Sequence, residues 1–285
     1  MYTTLITARE LMGLRDALVF DCSFELMQPE QGDAQYASGH IPGALRADLD
    51  RHLSAKPPQA AVNGGRHPLP TREHVAAWLV QCGLNKHQQV VVYDRQACNY
   101  AGRLWWMLKW LGHEAVAVLD GGLQAWQAEG GALEMGGPVE QSQRGRAPGN
   151  FVLGEPRVSL RLAHEVLQAL GPSQTVLDAR ATPRFKGEVE PLDPVAGHIP
   201  GALNRPFSLN TQADGRFKPA DQLRQEWMDL LGSRDPSTVV HQCGSGVSAI
   251  PNLLAMEIAG LGRTALYAGS WSEWCSDPQR PVEKG

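Results

Sequence analysis

The heptapeptide GHIPGAL occurs twice in this chain, from Gly39 to Leu45 and again from Gly197 to Leu203. A Gly-His-Ile-Pro-Gly run is turn chemistry followed by the start of an apolar stretch. Its recurrence extends outward on both sides. Upstream lie ALVFD (Ala17 to Asp21) and TVLD (Thr175 to Asp178), each a short apolar run ending in an acid. Downstream lie VVVYD (Val90 to Asp94) and VVHQC (Val239 to Cys243). Tryptophan-closed segments follow, VLDGGLQAW to Trp126 and LYAGSWSEW to Trp274. The copies stand about 150 residues apart, far beyond the ~20–50 residues of a solenoid repeat. The spacing implies one domain copied in tandem.

Each copy alternates short β-branched runs with longer segments of helical period, which predicts βαβ units around a parallel sheet. VVVY suits a strand buried on both faces. Helices are predicted over Thr71 to Cys82, Ala101 to Leu111, and Ser159 to Leu170 with Ser159 as its cap. Thr7 and Glu10 have the spacing of a capping box. The segment 136–156 is rich in Gly and Pro and lacks periodicity, so the expected organisation is domain 1–135, linker 136–156 and domain 157–285.

Length and composition agree. At roughly 150 residues per domain, 285 residues make about two domains. The 26 basic and 30 acidic residues leave a net charge of −4, without the basic surplus that nucleic acid or an anionic membrane would select. No apolar run approaches the ~20 residues of a membrane span, and the first residues do not read as a signal peptide. Five cysteines, Cys22, Cys82, Cys98, Cys243 and Cys275, include no C-x-x-C pair. An odd, scattered set fits reduced thiols in a cytoplasmic chain better than a disulfide framework or zinc site. Neither metal nor cofactor is expected.

In an open parallel sheet, ligands bind beyond the carboxyl ends of the strands. Aligning VVVYD with VVHQC sets Asp94 opposite Cys243, and the second loop continues Gly244-Ser245-Gly246-Val247-Ser248. Two glycines let the backbone curl so that several N–H groups face one spot, at the start of a following helix. Thiol activation alone is a weak lever there, because acidifying a thiol also reduces its nucleophilicity. The cradle is better suited to holding an anionic sulfur intermediate. Aspartate cannot perform that attack, so only the second loop is expected to be catalytic.

The paired GHIPGAL units, the DAR-x3-RF run from Asp178 to Phe185, and the CGSGVS loop together resemble the two-domain rhodanese family of sulfurtransferases. The likeness runs over nearly the whole chain. It implies an inactive N-terminal domain, an active C-terminal one, and sulfur transfer through a Cys243 persulfide held by the amides of Gly244, Ser245, Gly246, Val247 and Ser248. The CGSGV loop is similar to that of the 3-mercaptopyruvate branch. By the same resemblance Ser245, His67 of GGRHPLP and Asp50 of HIPGALRADLD assist proton movement, and Arg184 holds a substrate carboxylate. A second arginine expected after Glu190-Pro191 is replaced by Leu192, and losing a charge-assisted contact is worth ~1.5–3 kcal/mol. The implied partners are a small sulfur donor and a thiol, thioredoxin or cyanide acceptor.

Other readings remain open at this point. Leu192 favours thiosulfate as donor, whereas the uncharged loop disfavours it. A phosphatase would need an arginine six residues after the cysteine, where Ala249 stands. A non-catalytic binding module would have no use for the intact Cys243 loop. His40 and His198, present in both copies, are expected to brace the repeated turn.

Overall fold

A computed structural model describes residues 1–137 and 146–285. Residues 138–145, within the expected linker 136–156, lie outside the described residues. The chain forms two compact units. One comprises Met1–Ala60, Pro70–Arg157 and Thr211–Phe217; the other comprises Ala61–Leu69, Val158–Asn210 and Lys218–Gly285. Each unit therefore incorporates a short segment from the other's stretch of sequence.

The first unit holds strands β1 (Leu5–Ile6), β2 (Leu18–Asp21), β3 (Leu45–Arg46), β4 (Val90–Tyr93) and β5 (Val116–Leu119). The second holds β6 (Ser159–Arg161), β7 (Thr175–Asp178), β8 (Leu203–Asn204), β9 (Val239–Gln242) and β10 (Ala265–Tyr267). The sheet orders are β1-β5-β4-β2-β3 and β6-β10-β9-β7-β8, the same permutation in both. All pairs are parallel. The fold is thus α/β, a tandem pair of five-stranded parallel sheets flanked by helices. Strand order reverses between β2 and β4, and between β7 and β9. These are the switch points where ligand crevices open.

The repeated heptapeptide performs the same task in both units. It delivers the chain into the edge strand β3 or β8, with Ile41 and Ile199 buried beneath. His40 stacks on Tyr36 and His198 on Phe185, each pair with ring centroids 3.8 Å apart. His40 Nδ1 lies 2.8 Å from Tyr36 O, and His198 Nδ1 lies 2.8 Å from Phe185 O. Gly43 (φ +74) and Gly201 (φ +73) turn the chain, and their amides donate to Glu134 and Glu283. Both histidines therefore brace a turn, as expected from their presence in both copies.

Burial follows the predicted pattern. All four residues of β4 are fully buried, and each valine removed from water contributes about 1.5 kcal/mol or more. The capping box at Thr7 forms: Thr7 N donates to the Glu10 carboxylate and Glu10 N to Thr7 Oγ1. The helices Arg72–Gln81 and Ala101–Trp110 lie where the period placed them. Ser159 differs. It opens β6 rather than capping a helix, and the helix itself is Ala163–Gln168. The three residues pair with Ala265, Leu266 and Tyr267 of β10, a ladder partner about a hundred residues away that overrides local propensity. Beyond the undescribed residues, Gly149, Phe151 and Gly154 donate to Val80, Leu84 and Leu111, so this stretch is fastened to the first unit.

Candidate active site

Cys243 immediately follows β9, at the switch point of the second sheet, and is only 2% exposed. Its amide donates to Ser270 Oγ (3.1 Å), and its carbonyl accepts from the Trp271 amide (3.0 Å). The Gly244 carbonyl accepts from Ser272 N (2.9 Å). The loop is thus pinned by the helix Ser270–Trp274. Gly246 turns at φ +74, and a Cβ there would sit 2.1 Å from the Ala268 carbonyl oxygen. Only glycine fits this position. The loop then enters the helix Ile250–Ile258 with Pro251 in its first turn, where a missing N–H costs nothing.

The first unit shows what such a loop binds. Asp94 occupies the position equivalent to Cys243 and is buried. Its Oδ1 accepts from the amides of Gln96 (2.9 Å) and Cys98 (3.0 Å). Its Oδ2 accepts from Tyr100 and Ala101, both at 2.8 Å. Burial pushes the Asp94 carboxyl above its ordinary range, and these four amides offset only part of that rise. The sequence separation from Asp94 to the helix start at Ala101 equals that from Cys243 to Ile250. The amides at matching positions are those of Ser245, Val247, Ala249 and Ile250. One loop carries its own anion; the other presents a thiol.

His67 reaches this loop, with Nδ1 2.8 Å from Ser245 Oγ and the ring 4% exposed. It does so because its segment, Ala61–Leu69, belongs to the second unit. The Gly64 amide donates to Glu273 Oε1 (2.7 Å) and the Arg66 amide to Ser272 Oγ (3.0 Å). A histidine and a serine coupled beside a buried cysteine can pass a proton to or from a reacting group.

Arg184, on the helix Thr182–Lys186, donates to Glu190 Oε1 (2.6 Å) and Asp193 Oδ2 (3.1 Å). Burial raises Glu190, but Arg184 and the amides of Leu192 and Asp193 outweigh it and hold the carboxyl below its usual range. Leu192 therefore contributes a backbone donor where a cation was sought. Gly244, Ser245, Gly246 and Val247 are buried, and Ser248 is half-buried. Asp50 belongs to the first unit, where its carboxylate meets Lys56 Nζ at 2.8 Å. The second unit gathers Cys243, Ser245, His67 and Arg184; Asp50 is not part of that set.

A duplicated α/β unit with a glycine-looped cysteine in one copy is matched by a family model described as "Rhodanese-like domain", over residues 6–129 and 162–277. The chain belongs to the rhodanese-like family. A Pseudomonas aeruginosa protein named "Probable 3-mercaptopyruvate sulfurtransferase" is 50% identical over 99% of this chain and 98% of its own length. An Arabidopsis thaliana protein named "Thiosulfate/3-mercaptopyruvate sulfurtransferase 2" is 32% identical over 95% of this chain and 83% of its own. Among solved structures, 3-mercaptopyruvate sulfurtransferase from Leishmania major superposes with a TM-score of 0.82 at 31% identity. It is matched over 98% of this chain and 76% of that one.

Two features of this rhodanese-like site escaped the sequence. Ser270 is a non-glycine residue at φ +55, yet its hydroxyl receives the Cys243 amide and donates to Tyr267 O (2.9 Å). The signal was present: in the first copy the matching residue is Gly122, at φ +59. A serine tolerated where the copy has glycine marks a hydroxyl worth backbone strain. The second is Arg66, whose guanidinium lies over Gly244. At the other cysteines burial disfavours the thiolate form. Burial drives Cys22 and Cys98 well up, raises Cys82 to about 12, and raises Cys275.

Proposed function

We propose that this chain is a 3-mercaptopyruvate sulfurtransferase working through a Cys243 persulfide. The thiolate attacks the donor's sulfur, forming the S–S bond as the C–S bond breaks. The electron pair leaves on carbon as the pyruvate enolate, which takes a proton to become pyruvate. Ser245 and His67, in contact with each other in the second unit, carry that proton, and the amides of residues 244 to 248 hold the persulfide. Arg184 binds the donor's carboxylate. A thiol, thioredoxin or cyanide then attacks the outer sulfur and releases the Cys243 thiolate.

The observation that carries this reading is the contrast between the loops: four amides close on a resident carboxylate at Asp94, and the same spacing surrounds a sulfur at Cys243. The first unit, with Asp94 at that position, is assigned as non-catalytic. Among the described residues no helix is long and apolar enough to cross a membrane. The five cysteines are unbridged, which suits the proposed cytoplasmic setting.

Thiosulfate as donor is the second reading, favoured by Leu192 in place of a cation. Comparing kcat/KM for mercaptopyruvate and thiosulfate with cyanide as acceptor decides between them. A preference above about 100-fold, worth ~2.7 kcal/mol in transition-state binding, assigns the donor. Cys243→Ser should retain no cyanide-releasable sulfur after donor treatment. Measurable transfer by that variant overturns the mechanism.

A further inference from the structure

The site's ion pairs form a single alternating chain. Asp178 holds Arg180 (2.7 Å), Arg180 meets Glu190 (3.3 Å), and Glu190 meets Arg184 (2.6 Å). Arg184 meets Asp193 (3.1 Å), and Asp193 meets Arg66 (2.6 Å). Every charge inside the chain has an opposite neighbour on both sides. The chain ends on a cation, Arg66, which has a carboxylate on one side only.

That terminal guanidinium stands at the nucleophile's loop. A methyl on Gly244 would lie 3.0 Å from Arg66 Nη2 and 3.5 Å from Arg184 Nη1, so both arginines cover the residue after Cys243. Only Nη1 of Arg66 is engaged by Asp193, and Arg66 Nε is buried without a hydrogen-bond partner among the described residues. A buried guanidinium N–H without an acceptor is costly and calls for one. A carboxylate meets two adjacent guanidinium N–H groups in a planar fork. The side chain is 26% exposed, so a small anion can reach it.

The geometry points to Arg66 as the second carboxylate-binding cation of the site, a specificity-determining residue that fills the role left open by Leu192. It deepens the functional reading above and rests on it. The ligand class is a small α-keto acid whose carboxylate spans Arg66 and Arg184 while its sulfur meets Cys243. The cation comes from the GGRHPLP segment, far away in sequence, instead of from the residue after Glu190-Pro191.

The test uses the full-length protein with mercaptopyruvate and its methyl ester as donors, measuring KM and kcat. Arg66→Gln should raise KM for the acid by about 10- to 150-fold, the value of one charge-assisted contact. It should change kcat, and the kinetics of the ester, by less than about 3-fold. Arg66→Lys should fall between, and Arg66→Gln combined with Leu192→Arg should recover at least about 10-fold. KM and the acid-to-ester ratio do not depend on the folded fraction, so partial misfolding cannot imitate the result. Equal losses on acid and ester, with kcat falling, mean that Arg66 only anchors the His67 segment, and overturn the assignment. A wild-type protein that takes no sulfur from mercaptopyruvate overturns the functional reading and this assignment together.

Discussion

Replacing Asp94 by asparagine tests whether these loops are built to close on an anion. The carboxylate accepts two amides on each oxygen, from Gln96 and Cys98 on Oδ1 and from Tyr100 and Ala101 on Oδ2. Asparagine has the same shape but offers one oxygen and one NH2. Whichever way it turns, two buried backbone donors face a donor. Each stranded amide costs ~1–3 kcal/mol, giving roughly 2–6 kcal/mol. Relief of burying a charge, visible in the upward push on the Asp94 carboxyl, offsets part of this. A net loss of about 3 kcal/mol is expected. For a unit of this size that lowers the melting temperature by roughly 10 °C. Calorimetry is the assay of choice, because two units need not melt together and the transition of the first can be followed by itself. An Asp94→Asn protein whose first-unit transition moves by less than about 1 kcal/mol would refute the reasoning, and with it the use of Asp94 as a guide to the Cys243 loop.

Three further outcomes follow from single residues. Gly246→Ala forces a left-handed residue to carry a Cβ 2.1 Å from a backbone oxygen, so sulfur transfer should drop at least about 100-fold, a cost of ~2.7 kcal/mol, in a kcat/KM assay. Ser270→Gly relieves the φ +55 strain but removes the acceptor of the Cys243 amide; unfolding free energy should stay within about 1 kcal/mol while kcat falls, since the two effects are of similar size. His241 is buried, with no partner on either ring nitrogen among the described residues, and burial lowers it from 6.5 to about 3. Between those values the unfolded chain binds the extra proton, so stability falls as pH falls, by ~1.4 kcal/mol per unit. His241→Leu removes that slope, and denaturant titrations at about pH 7 and about pH 5 should show the difference between wild type and variant shifting by about 2 kcal/mol in the variant's favour.

Much of the fold was legible because it is local and repeated. The turn at GHIPGAL, the buried run VVVY and the helices after them follow from nearby residues, and a second copy confirmed each pattern. The candidate nucleophile was legible for the same reason, since setting Asp94 against Cys243 isolates where the two loops differ. Ser159 was misread because a three-residue edge strand has too little pattern of its own; β10 decides its conformation. Ser270 was legible only in hindsight, since a positive φ at a serine cannot be seen without its glycine counterpart. The ion-pair chain was illegible, because Arg66 and Asp193 are 127 positions apart.

Sequence alone determined the duplication, the α/β alternation and which loop carries the candidate nucleophile, since each is a short local pattern that recurs about 150 residues later. Tertiary structure alone decided which side chains surround that sulfur. His67 and Arg66 come from the first half of the sequence, yet the carboxylates of Glu273 and Asp193 and the Ser272 hydroxyl, from the second half, hold their segment. The physical reason is that a hydrogen bond or ion pair is specified by geometry at a few ångströms, and chain separation is invisible to it.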